Sequence, residues 1–311
     1  MSKKISRLLL LAAFTLIPTF LIWLPFFARV ETFWGIPLPQ NGMETIVSNY
    51  DGPLYLVVAK TLYNKALISG GFQFPLPAEY YAAHFPLYPL TIKALGFFIN
   101  YPYAMLLATI LSSFLAIFFF KKLISQYVDE KSSVFLTFLF SILPARWLIV
   151  RSVGSADPLF LAGIIASVYY FKNKKFWPSA IWGMVATFTK SPGILLFAAY
   201  GIYYLIESFK NKKFSLNAKK TYPLMLIPAA LVLVFVLYSF TQGDFLAYFH
   251  SGDNMHLGFP PFQIFNYSLP WVGTYWLEEI IFIYAIGAVG VYKLFQKKEY
   301  ELASFAGLFY L

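Results

Sequence analysis

The chain has 311 residues, of which 59% are hydrophobic, 21% aromatic and only 12% charged, with a mean hydropathy of +0.64. A water-soluble globule keeps about a quarter of its residues charged, so this balance excludes that class and predicts an all-α, polytopic integral membrane protein, a single transmembrane domain over residues 1–311. The absence of cysteine excludes disulfides, thiolate metal sites and a Cys nucleophile, and the net charge of +10 does not argue for nucleic acid, because the lysines sit at the ends of apolar segments rather than along one polar face.

A helix crossing about 30 Å of hydrocarbon at 1.5 Å per residue needs about 20 apolar residues. Segment 8–28, behind Lys3, Lys4 and Arg7, meets this and lacks a small-residue cleavage site, so it reads as a retained signal anchor. Further spans are expected at 102–120, 132–150, 156–171, 176–190, 192–208, 222–240 and 273–292, the shorter ones tilting or extending by a turn. A last apolar run, 300–311, opens another and ends without a polar flank, as expected of a piece of a longer protein.

The loop 29–101 alternates Pro and Gly turn signals with aromatic, amphipathic pieces. Within it, 52–67 reads as an interfacial helix, and 85–99 as one that lies on or dips into the outer leaflet without crossing. The basic residues require this. With the N-terminus cytoplasmic, the clusters Lys3/Lys4/Arg7, Lys121/Lys122/Lys131, Lys172/Lys174/Lys175, Lys210/Lys212/Lys213/Lys219/Lys220 and Lys293/Lys297/Lys298 all fall inside only if 85–99 is not a crossing. Asp51, Glu79, Asp157, Asp244 and Asp253 then collect on the outer, non-cytosolic face.

Four groups on that face carry possible chemistry. In Asn49-Tyr50-Asp51-Gly52-Pro53-Leu54-Tyr55, Asp51 reads either as a helix N-cap or as a carboxylate able to take a proton from a hydroxyl. In His84-Phe85-Pro86-Leu87-Tyr88-Pro89-Leu90, the two prolines set either an entry turn or a helix N-terminus that, with His84, could hold a phosphate. Arg146, Arg151 and Ser155-Ala156-Asp157-Pro158 precede Thr189-Lys190-Ser191-Pro192-Gly193, where Lys190 lies between two apolar segments. It is either a snorkelling lysine or, with Arg151, a phosphate ligand. Last come Asp244 in Gly243-Asp244-Phe245-Leu246-Ala247-Tyr248 and then His250, Asp253 and His256, a weak metal-ligand set against the reading of a solvated polar loop.

In order, spacing and side, these groups resemble GT-C glycosyltransferases, most closely the PIG-V-like mannosyltransferases, relatives of the enzyme that adds the second mannose of GPI anchors. Tyr50-Asp51 with Tyr55 is similar to that family's aromatic-Asp-x-x-x-Tyr element, and Phe85-Pro86-Leu87-Tyr88-Pro89-Leu90 to its Phe-Pro-Leu-Tyr-Pro-Leu signature, the most specific of the set. Ser155 to Phe160, Thr189 to Gly193 and Gly243 to Tyr248 resemble its Ser-Glu-x-Leu-Phe, Thr-Arg-x-x-Gly and Gly-Asp-x-Leu-Ala-aromatic elements, with Asp157 in place of Glu and Lys190 in place of Arg. The resemblance runs from residue 8 to about 270, and the family's later C-terminal spans are missing.

The resemblance implies a GT-C-type transmembrane bundle with interfacial helices in the first outer loop. It implies transfer of a sugar, mannose first, from a polyprenyl- or dolichyl-phosphate donor to a hydroxyl of a glycan, glycolipid or protein acceptor. Asp51 becomes the catalytic base; Lys190, Arg151 and His84 the phosphate ligands; and Tyr50, Tyr55, Tyr88, Asp157 and Asp244 the substrate contacts. No nucleotide is implied, and a divalent metal stays open. The competing expectations are a non-enzymatic lipid or polysaccharide transporter or scaffold, and a protein-O-glycosylating or aminoarabinose-type transferase of the same fold.

Overall fold

The computed structural model describes residues 3–72, 76–213, 217–252, 266, 268 and 274–310. The chain opens with α1 (Lys3–Phe27), followed by a two-residue antiparallel ribbon, β1 (Thr32–Phe33) and β2 (Ile36–Pro37), turning at Trp34-Gly35. Short helices come next: α2 (Met43–Val47), α3 (Gly52–Thr61), α4 (Lys65–Gly71), a 3-10 turn at Ala78–Ala83 and α5 (Leu87–Leu95). The bundle continues with α6 (Tyr101–Ile124), α7 (Glu130–Ile142), α8 (Ala145–Val150), α9 (Asp157–Lys172) and α10 (Phe176–Thr189). After a 3-10 turn at Ser191–Ile194 come α11 (Leu195–Asn211), α12 (Ala218–Thr221), a 3-10 turn at Tyr222–Met225, α13 (Leu226–Gln242), α14 (Thr274–Gln296) and α15 (Tyr300–Tyr310).

Among the described residues, four helical stretches are long and apolar enough to cross a membrane: Ile5–Phe27, Tyr101–Ile124, Ser191–Asn211 and Ala218–Gln242. Their outward faces suit lipid rather than water. Leu9, Ile17, Phe20 and Leu21 of α1 and Val232, Leu233 and Phe240 of α13 are exposed, a display that a soluble monomer avoids. Local sequence sets several helix starts. Asn100 accepts from Tyr103 N at 3.1 Å to open α6, and Asp129 accepts from Lys131 N and Ser132 N to open α7, satisfying donors that lack partners in the first turn.

Two helices in the centre are short and closely packed. α9 and α10, at 16 and 14 residues, reach only about 24 and 21 Å. A Cβ added at Gly163 of α9 would lie 2.7 Å from the Ala186 backbone nitrogen of α10, so the glycine is what lets these backbones touch. Further along, Ser167 Oγ donates to Ser179 O at 2.8 Å and Ser179 Oγ donates to Ser167 O at 2.9 Å. These reciprocal bonds satisfy hydroxyls in an otherwise apolar seam.

The charged clusters gather at one end. Glu130 pairs with Arg7 at 3.4 Å and with Lys121 at 2.9 Å, drawing together the starts of α1 and α7 and the end of α6. Glu299 meets Lys172, Tyr127 donates to Glu299 at 3.3 Å, and Glu301 holds Lys174 at 3.1 Å, tying the start of α15 to the ends of α9 and α6. The 85–99 segment contributes only the nine residues of α5, with Tyr88, Pro89 and Ile92 buried, about 14 Å long and too short to cross.

Three expectations change. The first loop holds four α-helices, a 3-10 turn and a β-ribbon rather than the two helices expected at 52–67 and 85–99, and the 52–67 stretch is divided between α3 and α4. The 132–150 span is split at Leu143-Pro144 into α7 and α8, because a proline cannot supply the amide that would continue the ladder. Segments 156–171 and 176–190 form helices, yet both fall below spanning length.

Candidate active site

Asp51 occupies the N-cap position of α3, where Asp is common for capping alone. Its carboxylate makes no capping bond, and its φ/ψ of −80° and 6° lies outside the extended geometry of a cap. The turn that delivers it is strained, with Tyr50 at φ 51°, a conformation disfavoured for a bulky side chain. Asn49 Oδ1 accepts from Tyr50 N at 3.0 Å.

Glycine decides where that turn lands. A Cβ at Gly154 would lie 3.0 Å from the Gly52 Cα and 2.4 Å from Met105 Sδ, and one at Gly52 would lie 2.8 Å from Val47 O. The Asp51 turn and the loop before α9 therefore touch through backbone, with Met105 of α6 against both. This contact carries Asp51 to Asp157, which is over a hundred residues away in sequence.

Asp157 opens α9. Its backbone nitrogen donates to Ser155 Oγ at 3.1 Å, and Ser155 Oγ donates to Asp157 Oδ2 at 3.2 Å. Asp157 Oδ1 pairs with Lys190 Nζ, both side chains being a little over one third exposed, at 38% and 37%. Lys190 stands where α10 ends in extended backbone. Just beyond it, a Cβ at Gly193 would lie 2.4 Å from Thr187 N, so the 191–194 turn folds directly back on α10.

The three charges interact. Burial raises the Asp51 carboxyl above the ordinary aspartate value; the Lys190 ammonium pulls it back down, and the Asp157 carboxylate pushes it up. Asp51 is open to solvent as a residue, yet protein surrounds its carboxyl closely enough for burial to lead. One turn on, the buried Tyr55 ring stands edge-on to His84 at 4.8 Å and to Tyr88 at 4.9 Å. Burial first, then Asp51 and Asp157, drive its phenol well above the usual tyrosine range. His84 is 4% exposed and its Nδ1 has no hydrogen-bond partner, while its carbonyl accepts from Tyr63 OH at 2.6 Å. Burial chiefly, aided by Lys190 and opposed by the Tyr80 carbonyl, pushes the imidazole down to about 4, so it is neutral at physiological pH.

Asp51, Tyr55, His84, Asp157 and Lys190 thus come together. Comparison with protein-family models, with curated proteins and with solved structures gave no match to the chain.

Other expected residues lie elsewhere or are committed. Arg151 is fully buried away from the charge cluster: Nε donates to Ser141 O at 2.8 Å, one terminal nitrogen donates to Thr15 O and Thr19 Oγ1 at 2.9 and 3.1 Å, and the other donates to Phe14 O at 3.2 Å. With four of its five N–H donors so used, it is a tie between α1, α7 and α8 rather than a phosphate ligand. Tyr88 is likewise closed to substrate, fully buried with its hydroxyl on Thr109 Oγ1 at 2.6 Å and Met105 O at 3.2 Å. Tyr50 remains at the rim, half exposed. His84, being neutral, brings no charge to an anion.

Asp244 makes local partners: Oδ1 accepts from Leu246 N at 2.8 Å and Oδ2 meets His250 Nδ1 at 2.6 Å. The His250 bond, the Leu246 amide and Lys65 hold its carboxyl below the usual range. Asp253 and His256 lie outside the described residues. Among the described residues, no three His, Asp or Glu side chains gather as a metal site would need.

Several members were not foreseen. Ser155 orients Asp157, and a Ser two residues before an Asp-Pro helix start was a legible sign of it. Tyr80, whose phenol is raised by burial and by Asp51, sits four residues before His84. Tyr248 bonds Ser191 beside Lys190 and packs edge-on to Phe85 at 5.1 Å, a contact with no local signal. Past Ser191 and Tyr248 opens an apolar hollow of about 250 Å³, lined also by Pro192, Leu195, Leu231 and Phe235.

Proposed function

We propose that the chain is a membrane glycosyltransferase of GT-C type that moves a sugar, with mannose the first candidate, from a polyprenyl- or dolichyl-phosphate donor to a hydroxyl acceptor on the non-cytosolic face. The observation that carries this reading is the uncapped Asp51 carboxylate within electrostatic reach of the Lys190–Asp157 pair, at the end of the bundle opposite the lysine clusters. A capping aspartate would be locked to its own helix; this one is free to accept a proton.

In the proposed reaction the acceptor oxygen attacks the anomeric carbon as its proton passes to Asp51, and the bond from that carbon to the phosphate oxygen breaks. The electron pair leaves on the lipid phosphate. Lys190 has three donors, one used by Asp157, and the others can neutralise the departing phosphate in a site less polar than water. Asp157 and Ser155 hold the ammonium in place. The apolar hollow beside Ser191 suits the first isoprene units of such a donor.

The test is to incubate membranes containing the protein with labelled polyprenyl-phosphate mannose, glucose and arabinose. Label should move to an acceptor with one of them and should not move with Asp51→Asn. Undiminished transfer by that variant removes Asp51 as the base, whereas passage of intact donor between leaflets without transfer favours a transporter.

A further inference from the structure

At the end of the bundle opposite Lys190, three hollows share walls. The outermost, about 660 Å³, is lined by Lys174, Lys175, Lys219 and Lys220 with Trp177 and Tyr222. A second, about 260 Å³, shares Lys174, Phe176 and Lys220 with it and adds Tyr204 and Thr221. From these two the third, about 510 Å³, runs along α11 past Phe197, Gly201 and Leu205, facing Leu224 and Met225. Together they form one groove with a four-lysine mouth and a hydrocarbon floor.

Three of the four lysine charges are uncompensated among the described residues. No Asp or Glu lines any of the three hollows. Lys174 is held by Tyr203 OH at 2.9 Å and Glu301 at 3.1 Å, while Lys175, Lys219 and Lys220 form no ion pair among the described residues. Trp177 and Tyr222, both more than half exposed and edge-on at 5.6 Å, flank the mouth as aromatic side chains do at a lipid–water boundary. The groove lies between the ends of two helices long and apolar enough to cross a membrane, the level at which headgroups sit.

We infer that this groove binds an anionic phospholipid of the leaflet at the lysine-rich end, its phosphate among the four lysines and one acyl chain along α11. A soluble anion has no use for the apolar floor. A zwitterionic lipid would bring its own cation to a mouth that already holds three unpaired ones. Basic pockets between membrane helices bind acidic headgroups for this reason. The site is separate from the proposed sugar transfer and does not depend on it.

The full chain, purified in non-ionic detergent, would be titrated with dioleoyl phosphatidylglycerol, dioleoyl phosphatidylcholine and inorganic phosphate while its thermal midpoint is followed. Phosphatidylglycerol should raise the midpoint saturably, and the other two should not. Lys175→Gln/Lys219→Gln/Lys220→Gln should weaken the effect on the order of a hundredfold. Gly201→Phe should abolish it with the lysines intact, since a Cβ at Gly201 meets nothing within 4 Å and the ring would enter the groove. An equal response to phosphatidylcholine or to phosphate, or full binding by Gly201→Phe, overturns the inference. Should either variant fail to fold, photo-crosslinking of a labelled phosphatidylglycerol to the wild-type chain decides: adducts at 174–177, 201–208 and 217–225 support the site, and adducts elsewhere overturn it.

Discussion

Asp51 is expected to ionise with difficulty, because burial outweighs the pull of Lys190. An acid whose folded pKa is raised still binds a proton where the unfolded chain has released it. Its ionisation therefore removes stability as pH climbs from the ordinary aspartate range through the raised value. Asp51→Asn should consequently leave the thermal midpoint at neutral pH unchanged or higher while abolishing transfer; a lower midpoint would mark Asp51 as a structural residue. Transfer itself should rise with pH as the carboxyl ionises. Lys190→Ala should move that acid limb to higher pH and raise the donor KM about 10- to 100-fold, whereas Asp157→Asn should move the limb to lower pH. Limbs that move together, or not at all, would show that the three groups do not act on one another. Sequence offered each of these residues as a candidate; the missing cap on Asp51 and the solitary Nδ1 of His84 depend on side-chain surroundings that no local pattern specifies.

The elements that carry the cluster are held by glycines, and the kind of neighbour predicts the outcome of filling each one. At Gly154 the nearest atoms are the far end of Met105, a flexible side chain. Gly154→Ala should destabilise by about 1–3 kcal/mol, and Met105→Ala in the same chain should recover part of that loss. At Gly163 the nearest atoms are the Ala186 backbone, which cannot be trimmed. Gly163→Ala should cost at least as much, show no rescue from side-chain truncation, and lower transfer by shifting Asp157 against Lys190. Thermal melts of the single and double variants measure both effects; rescue at Gly163 would contradict the backbone contact. Pattern alone located α6, α9, α10, α11 and α13 to within a few residues, since each combines a long apolar run with a polar or proline-marked boundary. It did not foresee α7 and α8 as separate helices.

At the scale of the whole molecule, Arg151 joins three parts of the chain. Its guanidinium serves Thr15, Thr19 and Phe14 on one side and Ser141 on the other. Thr15 O would keep the Thr19 hydroxyl, but loss of the bonds to Phe14 O and Ser141 O removes buried partners at about 1–3 kcal/mol each where water cannot replace them. Lysine lacks the fork needed to reach both sides. Arg151→Lys should therefore lower the thermal midpoint in detergent markedly, while the surviving folded protein keeps the donor KM of the wild type. A raised KM with an unchanged midpoint would return Arg151 to the phosphate site.

Composition and hydropathy by themselves determined that the chain is helical and carries helices long and apolar enough to cross a membrane, because removing backbone amides from water obliges them to bond within a helix, and that demand is written in every apolar run. Which candidates meet was decided only by tertiary structure. Asp51, Asp157 and Lys190 come together through glycine contacts between distant backbones, and Arg151 turns away because its partners on α1 and α7 satisfy it. Residue type states what a side chain can bond to; packing determines which partner it finds.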